Sequence, residues 1–189
     1  MSERLDPREF ERHLAERLLA AQQQSGGLSL LEIESGDDSL PGGRHWLVDP
    51  AQAGEIVPLP PLLPVPLTRA WFAGIANIRG MLYSVVDFAA WRGGAPTPRS
   101  AQARLLLIGA RDGSHCALLV ERALGLRAAD ALQIAPVAEQ TAADGSRSAM
   151  PAAWRGTTLV AADGNARWTR LDVPLLLVMP AFLDIALAA

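Results

Sequence analysis

The sequence contains no lysine, and all 17 of its basic residues are arginine. This absence excludes Schiff-base chemistry at lysine and any phosphate-binding loop that requires one. The single cysteine, Cys116, cannot form a disulfide within the chain, which agrees with a reducing cytosol. The net charge is −3 and the pI is near 5.6, whereas nucleic-acid binders normally carry a basic face. We therefore expect no nucleic-acid partner.

Long apolar runs are also lacking. The most apolar stretch, 171–189, is interrupted by Asp172, Pro174, Pro180 and Asp184, and a membrane-spanning helix needs roughly 20 consecutive apolar residues. The first residues carry charges of both signs and contain no apolar signal core. These features predict a cytoplasmic protein that does not insert into the membrane.

Residue constellations for catalysis are missing too. His115 and Cys116 are adjacent on a predicted strand, so their side chains point to opposite faces and cannot act as a pair. His13 and His45 have no metal-ligand spacing to another histidine, a cysteine or an acidic cluster. The sequence therefore predicts no catalytic site, no metal and no cofactor. A non-enzymatic recognition function is what remains.

Half of the 189 residues are apolar, which suits one domain with a substantial core. Its most informative segment is 74–87, in which two apolar stretches flank Asn77, Arg79 and Gly80. This pattern predicts a strand, a tight turn and a second strand, with Gly80 free to take a positive φ. Arg79 is either a solvated hairpin tip or, if it is buried, needs a carboxylate or carbonyl partner.

The N-terminal region predicts an amphipathic helix over residues 6–24. Asp6 and Pro7 form a good helix start, and the pair Gly26-Gly27 stops the helix. Phe10, Leu14, Leu18 and Ala21 form an apolar stripe opposite a charged face. The helix either packs on its own domain or binds a partner. We assign residues 1–27 to this extension and 28–189 to the main domain.

The rest of the chain predicts many short strands separated by turns, which is typical of small β-barrels. Five prolines between Pro58 and Pro66 indicate an extended connector before the hairpin, and Asp87 is positioned to cap a short helix over 88–91. The further predicted strands lie at 28–34, 45–48, 55–57, 104–110, 115–121, 125–128, 157–162 and 167–173.

The order of these motifs resembles that of the CheW family of chemotaxis adaptors. Glu55-Ile56-Val57 in a strand, a proline-containing loop, the run 71–74, the turn 77–80 and Val86-Asp87 follow the family pattern. Residues 104–108 and 116–121 are similar to its next strand pair, where Glu121 replaces the usual aspartate, and 154–176 is similar to its closing hairpin and helix. The resemblance spans about residues 28–180. It implies a mainly β fold of two SH3-like, five-stranded barrels packed together with a groove between them, plus the N-terminal helix and a short C-terminal helix.

The resemblance also implies a function and its residues. A CheW-like adaptor couples the cytoplasmic tip of a methyl-accepting chemoreceptor to the regulatory domain of a CheA-type histidine kinase. The N-terminal helix and the tryptophan-containing closing hairpin most resemble the adaptors of type IV pilus (twitching) systems, and a flagellar chemotaxis adaptor is the alternative. Arg79 is expected to form a partly buried pair with Glu55 across neighbouring strands. The implied partner-binding residues are Glu55, Asn77, Arg79, Gly80, Ile56, Val57, Leu82 and Val120, with Gly74 and Asp87 as structural supports.

Overall fold

The computed structural model describes residues 29–109, 113–135 and 154–187. The helix predicted over 6–24 lies outside these residues. The described part is mainly β and forms two six-stranded sheets with three short α-helices.

The first sheet combines strands from both ends of the described chain. The strands are β1 (Ser29–Glu34), β2 (His45–Val48), β9 (Arg122–Ala128), β10 (Leu132–Ile134), β11 (Arg155–Ala161) and β12 (Arg167–Leu171). Their order in the sheet is β10-β11-β12-β2-β1-β9. All neighbours are antiparallel except β12 and β2, which run parallel.

The second sheet is formed by the middle of the chain. Its strand order is β3-β7-β8-β6-β5-β4, with β6 and β8 parallel and the other neighbours antiparallel. The strands are β3 (Ala53–Pro58), β4 (Leu62–Leu63), β5 (Phe72–Ile78), β6 (Met81–Asp87), β7 (Arg104–Ile108) and β8 (Cys116–Val120).

The prediction of a mainly β chain with two small sheets is confirmed, but each sheet has six strands where five were expected. The additional strands include β4, with two residues, and β10, with three. Elements this short display no readable alternation of apolar and polar residues. The short C-terminal helix is divided into α2 (Val173–Leu177) and α3 (Pro180–Leu183).

A shared core joins the two sheets. Strand β8 shows how: Cys116, Leu118 and Val120 face the shared core, whereas Ala117 and Leu119 face the inner core of the second sheet. Because successive side chains of a strand point to opposite faces, a strand buried on both faces has a continuous apolar sequence. The shared core also holds an aromatic cluster of Trp46, Phe88, Trp91, Trp154 and Phe182.

The helix predicted after Asp87 is confirmed as α1 (Phe88–Trp91). The Asp87 side chain accepts hydrogen bonds from the Ala90 amide at 3.2 Å and from the Thr97 amide and hydroxyl at 2.7 Å each. An Asp at the N-cap satisfies amides that have no partner inside the helix. Asp87 therefore fixes the end of β6 to both α1 and the following loop.

Candidate functional site

The turn between β5 and β6 has the geometry of a two-residue hairpin loop. Ile78 pairs with Met81, and the two turn residues, Arg79 and Gly80, have φ values of 53° and 85°. Positive φ at both positions is the requirement of a type I′ turn, which matches the twist of the flanking strands. The Asn77 side-chain oxygen accepts the Gly80 amide at 2.9 Å and holds the turn closed.

Arg79 is the unexpected member of this turn, since only Gly80 was predicted to have a positive φ. Non-glycine residues rarely adopt the left-handed region, and those that do so concentrate at functional sites. No sequence signal predicted the left-handed conformation of Arg79, because a turn of Arg-Gly can be built in several ways.

Arg79 and Glu55 form a bidentate ion pair. Arg79 Nη1 donates to Glu55 Oε2 at 2.8 Å, and Arg79 Nη2 donates to Glu55 Oε1 at 2.6 Å. The hydrogen bond to Glu55, followed by its charge, raises the pKa of Arg79. A two-point contact of this kind fixes the relative orientation of the two side chains.

The predicted pairing of Glu55 with Arg79 is therefore confirmed, but two details of the expectation are wrong. The pair is not partly buried, because the side chains of Arg79 and Glu55 are 73% and 44% exposed. Nor do the residues lie on neighbouring strands: β3 begins the strand order of the sheet, and three strands separate it from β5. An ion pair this exposed contributes little to stability, which leaves its charges available to a partner.

An exposed apolar patch lies on the same hairpin. The strand register aligns Leu63 with Ile75, and Asn77 with Leu82, so these four residues share one face of the sheet. Leu63 and Leu82 are 67% and 62% exposed. The same face of β6 enters the shared core four residues beyond Leu82, at Val86. We call Leu63, Ile75 and Leu82 the β4–β6 patch; it is the uncovered continuation of a face that elsewhere contacts the first sheet.

The structure separates the other predicted site residues. Ile56 is half-buried against the shared core. Val57 is buried in the inner core of the second sheet, and Val120 is buried in the shared core. The expectation that Val57 and Val120 line a partner-binding surface is corrected, because their side chains are already enclosed. Leu63 was missed, since β4 lies within the proline-rich connector and is too short to recognise.

Gly74 has a structural role in this region. Its φ is +124°, and a Cβ at this position would lie 2.5 Å from the Leu63 carbonyl oxygen. Only a residue without a side chain allows β4 to approach β5 this closely. Gly74 therefore positions Leu63 in the β4–β6 patch.

A separate surface pocket of about 1000 Å³ lies between the β1–β2 loop and strands of the first sheet. Its buried carboxylate, Glu32, accepts hydrogen bonds from Trp168 Nε1 at 2.7 Å and from Arg127 Nε at 2.8 Å, so both of its oxygens have donors.

The described residues were also compared with the requirements of catalysis and metal binding. Burial raises the pKa of the Cys116 thiol to about 12, which keeps the thiol protonated and a poor nucleophile. Within the described ranges, no three His, Cys, Asp or Glu side chains are grouped so as to hold a metal ion. Among the helices described, none has the length and apolar composition that a membrane span requires.

Comparison with known proteins finds similarity to a curated protein and to solved structures. The PilI protein of Pseudomonas aeruginosa is 28% identical over 86 residues, which are 46% of this chain and 48% of PilI. The chain thus matches about half the length of this curated relative. The crystal structure of the scaffolding protein TtCheW from Thermoanaerobacter tengcongensis superposes with a TM-score of 0.59. The alignment has 14% identity and covers 82% of this chain and 95% of that one, so it establishes likeness of fold alone.

The match to a family profile identifies the family of the chain. The profile of the CheW-like domain matches residues 41–178, which include β3, the β5–β6 hairpin and the Glu55–Arg79 pair. The resemblance noted in the sequence is confirmed, and the narrower likeness to pilus adaptors agrees with the similarity to PilI. With its two-sheet fold, its hairpin and most of its length matched, the chain belongs to the CheW-like domain family.

Proposed function

We propose that this protein is a non-enzymatic adaptor that couples a methyl-accepting chemoreceptor to a CheA-type histidine kinase and controls type IV pili. Membership of the CheW-like family supports the adaptor role, and similarity to PilI supports the pilus pathway. The observation that carries the proposal is the Arg79–Glu55 pair, which is bidentate, exposed and held on a strained turn beside exposed apolar residues.

This arrangement suits recognition of a helix. The β4–β6 patch offers apolar contacts, and the ion pair offers a positive and a negative group at fixed positions beside it. An amphipathic helix binds such a surface by placing its apolar face on the patch and its polar residues at the rim. We assign this surface to the cytoplasmic tip of the receptor, which brings the adaptor from the cytoplasm to the membrane-associated array. The kinase regulatory domain would then contact the molecule barrel against barrel.

The turn conformation explains why the pair suits binding better than stability. The positive φ of Arg79 is sterically unfavourable, and an exposed ion pair contributes little to the stability of the fold. A residue that adds little to folding yet is held in one orientation is pre-organised for a partner. Pre-organisation lowers the entropy lost on association.

The test is titration calorimetry with two partners from the same organism: a receptor-tip fragment and the regulatory domain of a pilus-type kinase. Saturable one-to-one binding to this kinase domain supports the pathway, whereas binding only to a flagellar-type kinase would favour the flagellar alternative. We expect Arg79→Glu and Glu55→Arg each to weaken receptor-tip binding at least about tenfold, because each places like charges together. The double swap should recover part of the loss.

The matched control is Arg99→Glu, which makes the same charge change at an exposed site in the loop after α1. It should bind like the wild type. Circular dichroism should show that all four variants are folded. Normal receptor binding by both single swaps would show that the ion pair is not part of the receptor site.

A further inference from the structure

Strand β4, which carries Leu63 of the β4–β6 patch, is held weakly by its own sheet. It has two residues and lies at the end of the strand order, where Leu62 pairs with Ala76 and Leu63 with Ile75 of β5. Its neighbours in the chain include Pro60, Pro61, Pro64 and Pro66. A proline has no amide, so none of the four can donate a hydrogen bond that would hold the strand. The position of Leu63 therefore also depends on what holds the loop after it.

The far end of that loop is held by residues 184–187, which we call the C-terminal strap. The strap runs antiparallel to the end of the β4–β5 loop and shares two backbone hydrogen bonds with it. The Arg69 amide donates to the Ile185 carbonyl at 2.9 Å. The Leu187 amide donates to the Leu67 carbonyl, also at 2.9 Å. The loop that follows β4 is thus attached to a segment more than 100 residues away in sequence.

An ion pair fastens the strap at its first residue. Arg69 contacts Asp184 twice: Nε donates to the Asp184 carbonyl at 2.7 Å, and Nη2 donates to the Asp184 carboxylate. Asp184 directly follows α3, and Phe182 of α3 is buried in the shared core. Arg69 therefore connects the β4–β5 loop to the shared core of the molecule.

Leu67 shows that the β4–β5 loop is held in one conformation. Its φ is 58°, and a bulky side chain rarely adopts this left-handed region. Such a conformation persists only where the surrounding contacts over-determine it. Two contacts do so here: the Leu187 amide donates to the Leu67 carbonyl, and the Thr68 hydroxyl donates to the Val65 carbonyl at 2.8 Å. The strap thus opposes relaxation of the loop that follows β4.

The contacts of the strap are exposed, so it can open while both sheets stay folded. The side chains of Arg69 and Asp184 are 40% and 59% exposed, and Leu187 is also exposed. Segments whose hydrogen bonds are open to solvent and whose buried contacts are few open locally at low free energy. Loss of the ion pair should therefore release the loop without unfolding the domain.

We propose that Arg69 and Asp184 are positioning residues of the candidate receptor surface. Their ion pair holds the strap on the β4–β5 loop, which keeps β4 in register with β5 and Leu63 in the β4–β6 patch. The patch is complete when the strap is closed, and Leu63 is released when the strap opens. The effect on binding rests on the proposed function, whereas the position of β4 is measured without a partner.

Amide exchange followed by NMR in the 189-residue chain tests the positioning. Arg69→Glu and Asp184→Arg each place like charges together, and the double swap restores opposite charges. We expect the Leu187 amide and the amides of the β4–β5 ladder to exchange at least about tenfold faster in each single variant, because charged hydrogen bonds are lost. The double swap should recover part of the protection, and the amides of β7 and β8 should be unchanged throughout.

Titration calorimetry with the receptor-tip fragment measures the consequence for binding. Each single variant should bind at least about threefold more weakly, because release of Leu63 adds an ordering cost to association. The double swap should again recover part of the loss. The matched control, Arg99→Glu, should equal the wild type in both assays. Circular dichroism should show that all variants are folded and melt within about 4 °C of the wild type, since the ion pair is exposed.

The two measurements separate this proposal from the proposed function. Unchanged exchange of the β4–β5 ladder in both single variants would overturn the positioning. Weaker binding without faster exchange would also overturn it, because Arg69 and Asp184 would then contact the receptor directly. Faster exchange combined with binding that neither these variants nor Arg79→Glu alters would overturn the receptor assignment alone, and the positioning of β4 would stand.

Discussion

Replacement of Arg92 by methionine should destabilise the fold, although it removes a buried charge. Arg92 follows α1 and is 3% exposed, so its guanidinium is enclosed between the two sheets. Its Cζ atom lies 4.8 Å from the ring centroids of both Trp46 and Phe88. It donates hydrogen bonds to the Ser35, Pro41, Gly43 and Phe88 carbonyls. Arg92 thus joins the β1–β2 loop of the first sheet to the helix that follows β6.

The magnitude follows from two opposing contributions. Burial lowers the pKa of Arg92 to about 10. This corresponds to a desolvation penalty of about 3 kcal/mol, which methionine would relieve. Against this, the Ser35 and Pro41 carbonyls would lose charged donors, at a combined loss of about 5 kcal/mol. Gly43 keeps the Trp46 Nε1 donor and Phe88 keeps a backbone donor. The free energy of unfolding should therefore fall by about 2 kcal/mol, which corresponds to a melting temperature lower by about 4–8 °C.

Thermal unfolding followed by circular dichroism measures this shift. Arg92→Lys should melt lower than Arg92→Met, because lysine retains the buried charge but cannot reproduce the fork of donors. The control is Arg99→Met, an exposed arginine whose replacement should leave the melting temperature unchanged. An Arg92→Met protein that melts at or above the wild-type temperature would refute the reasoning, since desolvation would then outweigh the hydrogen bonds.

Three further predictions concern stability and reactivity. Gly74→Ala should lower the free energy of unfolding by about 3 kcal/mol, because the new Cβ would clash with a carbonyl of β4 and the residue would keep a strained φ. The control is Gly113→Ala, where φ is also positive but no atom lies close to the new Cβ, so urea denaturation should show a smaller loss of stability. Equal losses in the two variants would contradict a clash at Gly74. Asp87→Ala should lower the free energy of unfolding by about 2–4 kcal/mol, because three hydrogen-bond donors lose their acceptor. In the same assay Thr97→Ala should have a smaller effect, because it removes one of these donors only. Cys116 should resist Ellman's reagent at pH 8 until urea unfolds the protein, because burial raises the pKa of its thiol to about 12; rapid labelling of the folded protein would contradict its burial.

Local sequence signals predicted much of the architecture. The β5–β6 hairpin, the Asp87 cap and the last two strands, predicted at 157–162 and 167–173, each depend on residues close in the chain, and all three are confirmed. The short strand β4 was not predicted, because prolines surround it and it forms only where Gly74 lets it approach β5. Its existence depends on a contact 11 residues away in sequence and not on local preference.

The candidate site shows the same division. Resemblance to the family identified Glu55 and Arg79 as a pair, and the structure confirms their contact. Their exposure could not be read from the apolar neighbours, because Ile56 packs against the shared core and Val57 and Ile78 pack in the inner core of the second sheet. Val57 and Val120 were predicted to line a groove for the same reason, since an apolar residue in a strand is compatible with either a core or a binding surface.

The sequence by itself determined the class of the fold, the turns and the absence of lysine chemistry, since these depend on composition and on residues close together in the chain. The tertiary structure decided which apolar residues are buried. It brought β12 beside β2 and β6 beside β8, it closed the gap between Glu55 and Arg79, and it left Leu63 and Leu82 uncovered. The physical reason is that burial is a property of what lies opposite a side chain, and in this protein the opposite surface comes from strands far away in sequence.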